Sequence, residues 1–346
     1  MIAAIWVTTE CNMMCKYCYE GDVKSNRGMS LSTSNKVIEY ILKHVEKTND
    51  ETLIVNFHGG EPLIQFGIIK HICEEFKSKL KGSSIKLSFG ITTNGILMND
   101  EIIQYLSDGF SYSLSVSIDG SQETHDKNRL LVNGQGSYSK VIDNFLKLLR
   151  YCSDVRARMT FTPETVNALY DNVKFLVDLG FKTIVPVPDY FNNSWNMNSM
   201  QILYSQLEKI ARLLVDERKT NTNLRVGIIE EMSIKKKNDI CRAGYNTVNI
   251  DPDGNIYPCT YTVGNEEYLI GNVRDGINES KLHEIIELSS IENKECIGCS
   301  RYNYCSATRC KLINNVMTGD YHKPSAVLCS VENIKHKAYK YYEELL

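Results

Sequence analysis

Residues 10–20 read ECNMMCKYCYE, with cysteines at Cys11, Cys15 and Cys18 directly behind the apolar run MIAAIWV of residues 1–7. The run has the composition of a buried strand, so the thiols stand where that strand passes into its loop. In parallel sheets this is the end at which ligands bind. Structural zinc takes four protein ligands, and neither a histidine nor a fourth cysteine is near. An iron–sulfur cubane takes one ligand per iron, so three thiols would leave one iron open to a small molecule. Three thiols packed as small hydrophobes are the remaining alternative.

Outward from this stretch, apolar runs alternate with segments of helical period. The runs are IAAIWVT (2–8), LIVNFH (53–58), IKLSFGIT (85–92), YSLSVSI (112–118), VRARMTF (155–161) and KTIVPV (182–187). Between them Val37, Ile38, Ile41, Leu42 and Val45 recur at helical spacing, as do Ile68, Ile69, Ile72, Phe76 and Leu80. Similar faces occupy 137–149, 164–179 and 199–215. Six strand-and-helix units in succession predict an α/β fold with a parallel sheet covered by helices, a partial (β/α)6 barrel left open. Gly59, Gly60, Gly95 and Gly120 fall where strands end, so their loops and the cysteine loop should surround one site.

The chain has 346 residues and a formal net charge of -3. Its length predicts one large domain and one small one. The near-balanced charge gives no general affinity for polyanions, so nucleic acid is not an expected partner. No apolar run approaches the roughly twenty residues of a bilayer-crossing helix. The opening run lacks the length and basic flank of a secretory signal. A cytoplasmic protein without a membrane partner is expected. Twelve cysteines in such a chain argue for metal rather than disulfides. Three lie at the front and seven between Cys241 and Cys329, while Cys73 and Cys152 stand alone and are expected to pack. His58 and His125 are read as local hydrogen bonders. Beyond about residue 220 helical period fades; KKKND (235–239) reads as a solvated charge run and NIDPDGNIYPC (249–259) as a hairpin turning at Asp253 and Gly254. A last helical segment covers 330–346.

The spacing C-x3-C-x2-C after a first strand, with an aromatic before the last cysteine, resembles the radical S-adenosylmethionine (radical SAM) superfamily. The resemblance implies a [4Fe–4S] cluster on Cys11, Cys15 and Cys18. Its open iron would bind SAM, and SAM cleavage would yield a 5′-deoxyadenosyl radical that abstracts hydrogen from substrate. HGGEP (58–62), TTNG (92–95), SVSIDG (115–120) and HDKNR (125–129) match the same superfamily in order. By that resemblance Gly59 and Gly60 admit the methionine end of SAM and Glu61 receives its ammonium. Thr92, Asn94, Ser115, Ser117 and Asp119 would contact its ribose or amino acid portions, Arg129 its carboxylate, and Tyr17 its adenine.

The rear cysteines, Cys241, Cys259, Cys296-x2-Cys299-x5-Cys305-x4-Cys310 and Cys329, resemble the SPASM domain, a cysteine-rich iron–sulfur extension of radical SAM enzymes that act on peptides and proteins. Its last short gap holds four residues where the usual pattern has three. The expected division is a radical SAM barrel over 1–220 and a SPASM domain over 221–346. The resemblance implies two auxiliary [4Fe–4S] clusters, making three in all. Cys241, Cys259 and Cys310 would hold one and Cys296, Cys299, Cys305 and Cys329 the other. The eighth cysteine of some members is absent, with Thr247 about where it would stand, so the first auxiliary cluster is expected to have an open iron.

The expected activity is that of a peptide maturase, installing a thioether or other side-chain crosslink in a ribosomally made peptide. Formylglycine formation, as in anaerobic sulfatase maturases, and peptide epimerisation are the alternatives. Sulfatase maturases place a catalytic aspartate immediately after the cysteine corresponding to Cys259, where this chain has Thr260; Asp251, Tyr261, Glu266 and Glu267 remain possible replacements. The presumed first strand begins at residue 2 with no leader-gripping domain before it, so the expectation is that the leader is recognised elsewhere or by a separate leader-peptide-binding protein, or that the substrate is a folded protein or a small molecule. A flavodoxin or ferredoxin-like reductant is an expected partner.

Overall fold

The computed structural model describes residues 1–21, 26–220, 223–232 and 241–346. The KKKND run lies outside the described residues, as do residues 221 and 222 beside the expected domain boundary. The barrel portion runs β1 (Ile2–Trp6), β2 (Met13–Cys15), α1 (Leu31–Thr48), β3 (Thr52–His58), α2 (Phe66–Lys79), β4 (Lys86–Thr93), α3 (Asp100–Gly109), β5 (Ser113–Ser117), α4 (Gln122–Asn128), β6 (Arg129–Leu131), α5 (Tyr138–Tyr151), β7 (Arg156–Phe161), α6 (Leu169–Asp178), β8 (Thr183–Pro188) and α7 (Met197–Arg218). The six predicted runs became β1, β3, β4, β5, β7 and β8, neighbours in that order and parallel throughout. The partial α/β barrel is therefore present.

Two strands extend it. The short β9 (Arg225–Val226) pairs parallel with β8, and β10 (Thr247–Ile250) pairs parallel with β1. β10 then turns at Gly254, whose φ of 85° suits glycine, into β11 (Asn255–Tyr257), followed by β12 (Gly271–Asn272) and β13 (Gly276–Ile277). The rear cysteine region thus continues the barrel's own sheet into eleven strands, a continuity the change of sequence texture does not reveal. After α8 (Gly227–Glu230), the rear helices are α9 (Glu279–Ser290), α10 (Ser306–Arg309), α11 (Lys311–Thr318) and α12 (Ala326–Leu345). Helix α12 packs on α7, where Arg212 Nε donates to Tyr341 Oη at 2.7 Å. Among the described residues no helix is long and apolar enough to cross a membrane.

Strand alternation positions the site. Leu53, Val55 and Phe57 on β3, Leu114 and Val116 on β5, and Ala157, Met159 and Phe161 on β7 are buried. The alternate positions, Asn56 and His58, Ser113, Ser115 and Ser117, and Arg156, Arg158 and Thr160, are polar and share the opposite face. A closed barrel fills its interior with branched apolar side chains, whereas this one has a polar lumen suited to a ligand. Helices cover the apolar face: Val37, Ile38, Ile41 and Val45 of α1 are essentially without exposure. Each such burial contributes about 1.5–3 kcal/mol. Ser30 caps α1 by accepting from Thr33 N, Asn99 caps α3 from Ile102 N, and Asn196 and Ser199 close a reciprocal box at α7.

Candidate active site

At the carboxyl end of the parallel strands lies a cavity of about 240 Å³. Cys11, Cys15 and Cys18 line it with Tyr17, Gly59, Gly60, Glu61, Thr92, Asn94, Ser117, Arg129 and Tyr261. A two-stranded ribbon pins the cysteine loop: β2 pairs antiparallel with β6, with Cys15 opposite Arg129. The glycines form a close-packed cradle beside that loop. A Cβ on Gly59 would lie 2.4 Å from Thr8 O, and one on Gly60 would lie 2.3 Å from Glu10 O. Gly60 N and Glu61 N donate to those same two carbonyls at 3.1 and 2.8 Å.

Glu61 is 1% exposed. Its Oε1 accepts from Leu63 N at 3.0 Å and Thr93 Oγ1 at 2.7 Å, and its Oε2 from Asn94 N at 2.7 Å. Burial outweighs those bonds and pushes its carboxyl up to about 7. A carboxylate so desolvated is the complement of an ammonium ion. The Asn94 side chain faces the cysteine loop, donating to Asn12 Oδ1 at 2.7 Å and approaching Cys11 Sγ at 4.0 Å.

Asp119 is fully buried and organises the opposite wall. Its Oδ1 accepts from Arg129 Nε at 3.1 Å and Thr160 N at 2.9 Å, while its Oδ2 accepts from the Tyr17 hydroxyl. The Arg129 guanidinium also lies 5.3 Å from the Tyr17 ring centre. On β5, Ser117 reaches the cavity whereas Ser115, two residues deeper, is buried against Ser113 Oγ at 2.9 Å. Ser115 and Asp119 are thus behind the lining rather than on it.

The candidates for a catalytic base separate. Asp251 Oδ1 accepts from Asp253 N and Asn255 N, both at 2.9 Å, and its Oδ2 from Asn255 Nδ2 at 3.0 Å, so its carboxylate holds the hairpin turn. Glu266 and Glu267 are exposed on a single 3-10 turn away from the cavity lining. Tyr261 alone of the four lines the cavity, and burial raises its phenol pKa, so it enters as a neutral hydroxyl. Thr260 Oγ1 donates to Asn249 Oδ1 at 3.1 Å.

His58 stacks on Trp6 at 4.8 Å with Nε2 2.7 Å from Asn56 Nδ2, and burial lowers its pKa to about 4. His125 bonds Ser137 Oγ at 2.9 Å and burial lowers its pKa to about 3. Both are neutral local partners. Cys73 is buried, with its thiol pushed up to about 12.

Sequence reasoning missed Thr93, which orients Glu61, and Arg158, Thr160, Asp189 and Phe191, which line the cavity. Alternation in VRARMTF carried the signal for Arg158 and Thr160, since a strand apolar on one face turns its other residues inward.

The rear cysteines form two groups. Cys296, Cys299, Cys305 and Cys329 line one cavity of about 420 Å³. Cys259 and Cys310 lie near Cys241, and burial raises their thiols to about 11 and 12. Thiolates at those values require a bound cation to stay deprotonated at neutral pH. Tyr261, which lines the front cavity, is also close enough to Cys259 and Cys310 to feel their charge. Thiol triplets and quartets are the donor chemistry of iron–sulfur clusters.

Residues 5–183 match the Radical SAM superfamily. The chain belongs to the radical SAM superfamily. Residues 241–311 match SPASM, an iron-sulfur cluster-binding domain. The protein is an enzyme, and SAM and [4Fe–4S] clusters are its cofactors. A cysteine-type anaerobic sulfatase-maturating enzyme of Clostridium novyi (strain NT) is 24% identical over 318 residues, covering 86% of this chain and 84% of the relative. The radical SAM cyclopropyl synthase TigE of Paramaledivibacter caminithermalis is 23% identical over 344 residues, covering 87% and 66%. The solved structure of native anSMEcpe with bound AdoMet and Kp18Cys peptide shares the fold, with a TM-score of 0.77 at 21% identity over 99% of this chain and 98% of that one.

Proposed function

We propose that this radical SAM enzyme modifies a ribosomally made peptide, linking two of its side chains. When bound, the front cluster and SAM supply a carbon radical that removes a hydrogen atom from substrate. Cys11, Cys15 and Cys18 hold that cluster in this reading. Gly59 and Gly60 admit the SAM backbone, and Glu61 receives its ammonium. Ser117 and Thr92 offer hydroxyls at the cavity wall. Arg129, steadied through Nε by Asp119, offers its remaining N–H groups to a carboxylate. Cys241, Cys259 and Cys310 hold one rear cluster, and Cys296, Cys299, Cys305 and Cys329 the other.

The observation that carries the crosslinking reading is the segment that follows Cys259. Behind Cys259 the chain offers Thr260, whose hydroxyl is turned to Asn249, and then the neutral phenol of Tyr261. Neither is a carboxylate base of the kind formylglycine formation would use at this position. The neighbour holding a peptide supports a peptide substrate. The similarity to sulfatase-maturating enzymes over 84% of the relative's length keeps formylglycine formation as the second reading.

Co-expression with short peptides encoded beside the gene, followed by fragment mass spectrometry, tests both. A two-hydrogen loss that joins two side chains in one fragment supports the proposal. Formylglycine at a single residue overturns it in favour of the second reading. Failure of reconstituted protein to form 5′-deoxyadenosine above a Cys15→Ala control, with every peptide supplied, would remove the cofactor assignment to Cys15 as well.

A further inference from the structure

Two guanidinium groups line the front cavity in different circumstances. Arg129 is buried and bonded to Asp119. Arg158 is exposed into the cavity and, among the described residues, has no carboxylate within the 4.0 Å of an ion pair. The acids nearest in the lining are already engaged. Glu20 Oε1 accepts from Trp6 Nε1 at 3.3 Å, Glu61 accepts from three donors, and Asp189 Oδ1 accepts from Phe191 N at 3.2 Å.

The backbone beneath Arg158 is fixed. It pairs with Ser117 on one side and Val185 on the other, between the fully buried Ala157 and the nearly buried Met159. The guanidinium is close enough to His58, Tyr19 and Tyr261 to act on their ionisation. His58 is neutral there, so it supplies no counter-charge. Tyr261 stands between Tyr19 at 5.7 Å and Phe191 at 5.9 Å, and the outer two rings are 49% and 40% exposed. All three rings line the same cavity as Arg158.

A cation with no ion-pair partner among the described residues, rooted on a paired strand and lining the cavity beside aromatic rings, is a receptor for an anion carried on an amphipathic chain. The fork of an arginine binds carboxylates through two parallel N–H donors, and aromatic faces cover the adjoining methylenes. We propose that Arg158, with Tyr19, Tyr261 and Phe191, forms a subsite for an Asp or Glu side chain of the substrate peptide. This rests on the peptide reading and adds a sequence requirement to it: an acidic residue near the modified one.

The test uses SAM-saturated, cluster-reconstituted protein and three N-acetylated tripeptides: acetyl-Gly-Glu-Gly-amide, its Gln counterpart, and acetyl-Gly-Gly-Gly with a free terminal carboxylate. Binding is followed by ligand-observed NMR. The Glu probe should bind about tenfold or more tightly than the Gln probe, as charge-assisted bonds do. Arg158→Gln should abolish that preference and Arg158→Lys should keep part of it, with SAM affinity unchanged in both. A preference that persists in Arg158→Gln, none in the native protein, or no binding of any probe overturns the inference. So does tighter binding of the free-carboxylate probe than of the Glu probe, which makes this a chain-terminus site. Loss of SAM affinity in Arg158→Gln also overturns it, because Arg158 is then a cofactor contact. If the native enzyme modifies no peptide, the maturase reading fails whatever the probes do. If it modifies peptides with and without acidic residues alike and the probes show no charge preference, only the Arg158 subsite fails.

Discussion

Arg129 Nε and Asp119 Oδ1 meet at 3.1 Å, with their side chains 8% and 0% exposed. The pair joins β6 to the end of β5 and holds the tyrosine between two of the front cysteines through the Tyr17 hydroxyl. Removing one partner would leave the other charge buried. Asp119→Asn is expected to destabilise the apo protein by about 3–5 kcal/mol. Pairing it with Arg129→Met should recover part of that loss, since no orphaned charge remains. Urea unfolding of the two single variants and the double variant checks the expected non-additivity.

Glu61 gives the ligand-free protein a pH dependence of definite sign. Its carboxyl is raised from 4.5 to about 7 by burial. Below 4.5 both folded and unfolded chains hold the proton. Between about 4.5 and 7 the folded chain alone holds it, so stability falls as pH rises through that window and levels above it. The contribution is on the order of 3 kcal/mol, and Glu61→Gln should remove it from the apo unfolding profile. An ammonium placed beside Glu61 favours the ionised form. SAM should therefore bind roughly tenfold more tightly at pH 8 than at pH 6, and Glu61→Gln should flatten that dependence in equilibrium dialysis.

Gly60→Ala places a Cβ 2.3 Å from Glu10 O and 2.8 Å from Thr9 O, both backbone atoms. The segment between β1 and the cysteine loop must move, at a cost of about 1–3 kcal/mol. Iron content after reconstitution should fall by about one third while the rear clusters remain. Gly67→Ala, in α2, meets nothing within 4 Å and should leave iron loading unchanged.

Thr260→Asp tests whether a carboxylate behind Cys259 suffices for formylglycine chemistry. The Thr260 hydroxyl donates to Asn249 Oδ1, and Asn249 Nδ2 is committed to Tyr257 O at 3.3 Å. An aspartate would set two acceptors against each other unless Asn249 turned and broke that second bond. The expected result is a loss of about 1–2 kcal/mol and no formylglycine by mass spectrometry.

Much of the fold was legible because its strands are short, apolar and punctuated by glycine. LIVNFH and VRARMTF became β3 and β7 within a residue. What escaped was set by tertiary context. MMC and RLL are too short to show a period, and they form a ribbon only because each lies opposite the other. Helix α3 went unassigned although Ile102, Ile103 and Leu106 are buried on one face. Around the cavity, glycines and cysteines announced themselves by residue type. The distinction between Ser117 at the wall and Ser115 behind it depends on depth along β5, and Asp251 was indistinguishable from a base until its bonds to Asn255 were visible.

The pairing of β1 with both β3 and β10 has a consequence for how the chain acquires its structure. Ile2 faces Ile54 on one side and Thr247 on the other. During synthesis the first strand can find β3 early, but its second edge stays open until residues 247–250 emerge. An unsatisfied strand edge invites pairing with other chains, and long-range pairings form slowly. The second edge of β1, and with it the strand that leads into the cysteine loop, is covered only once residues 247–250 have paired.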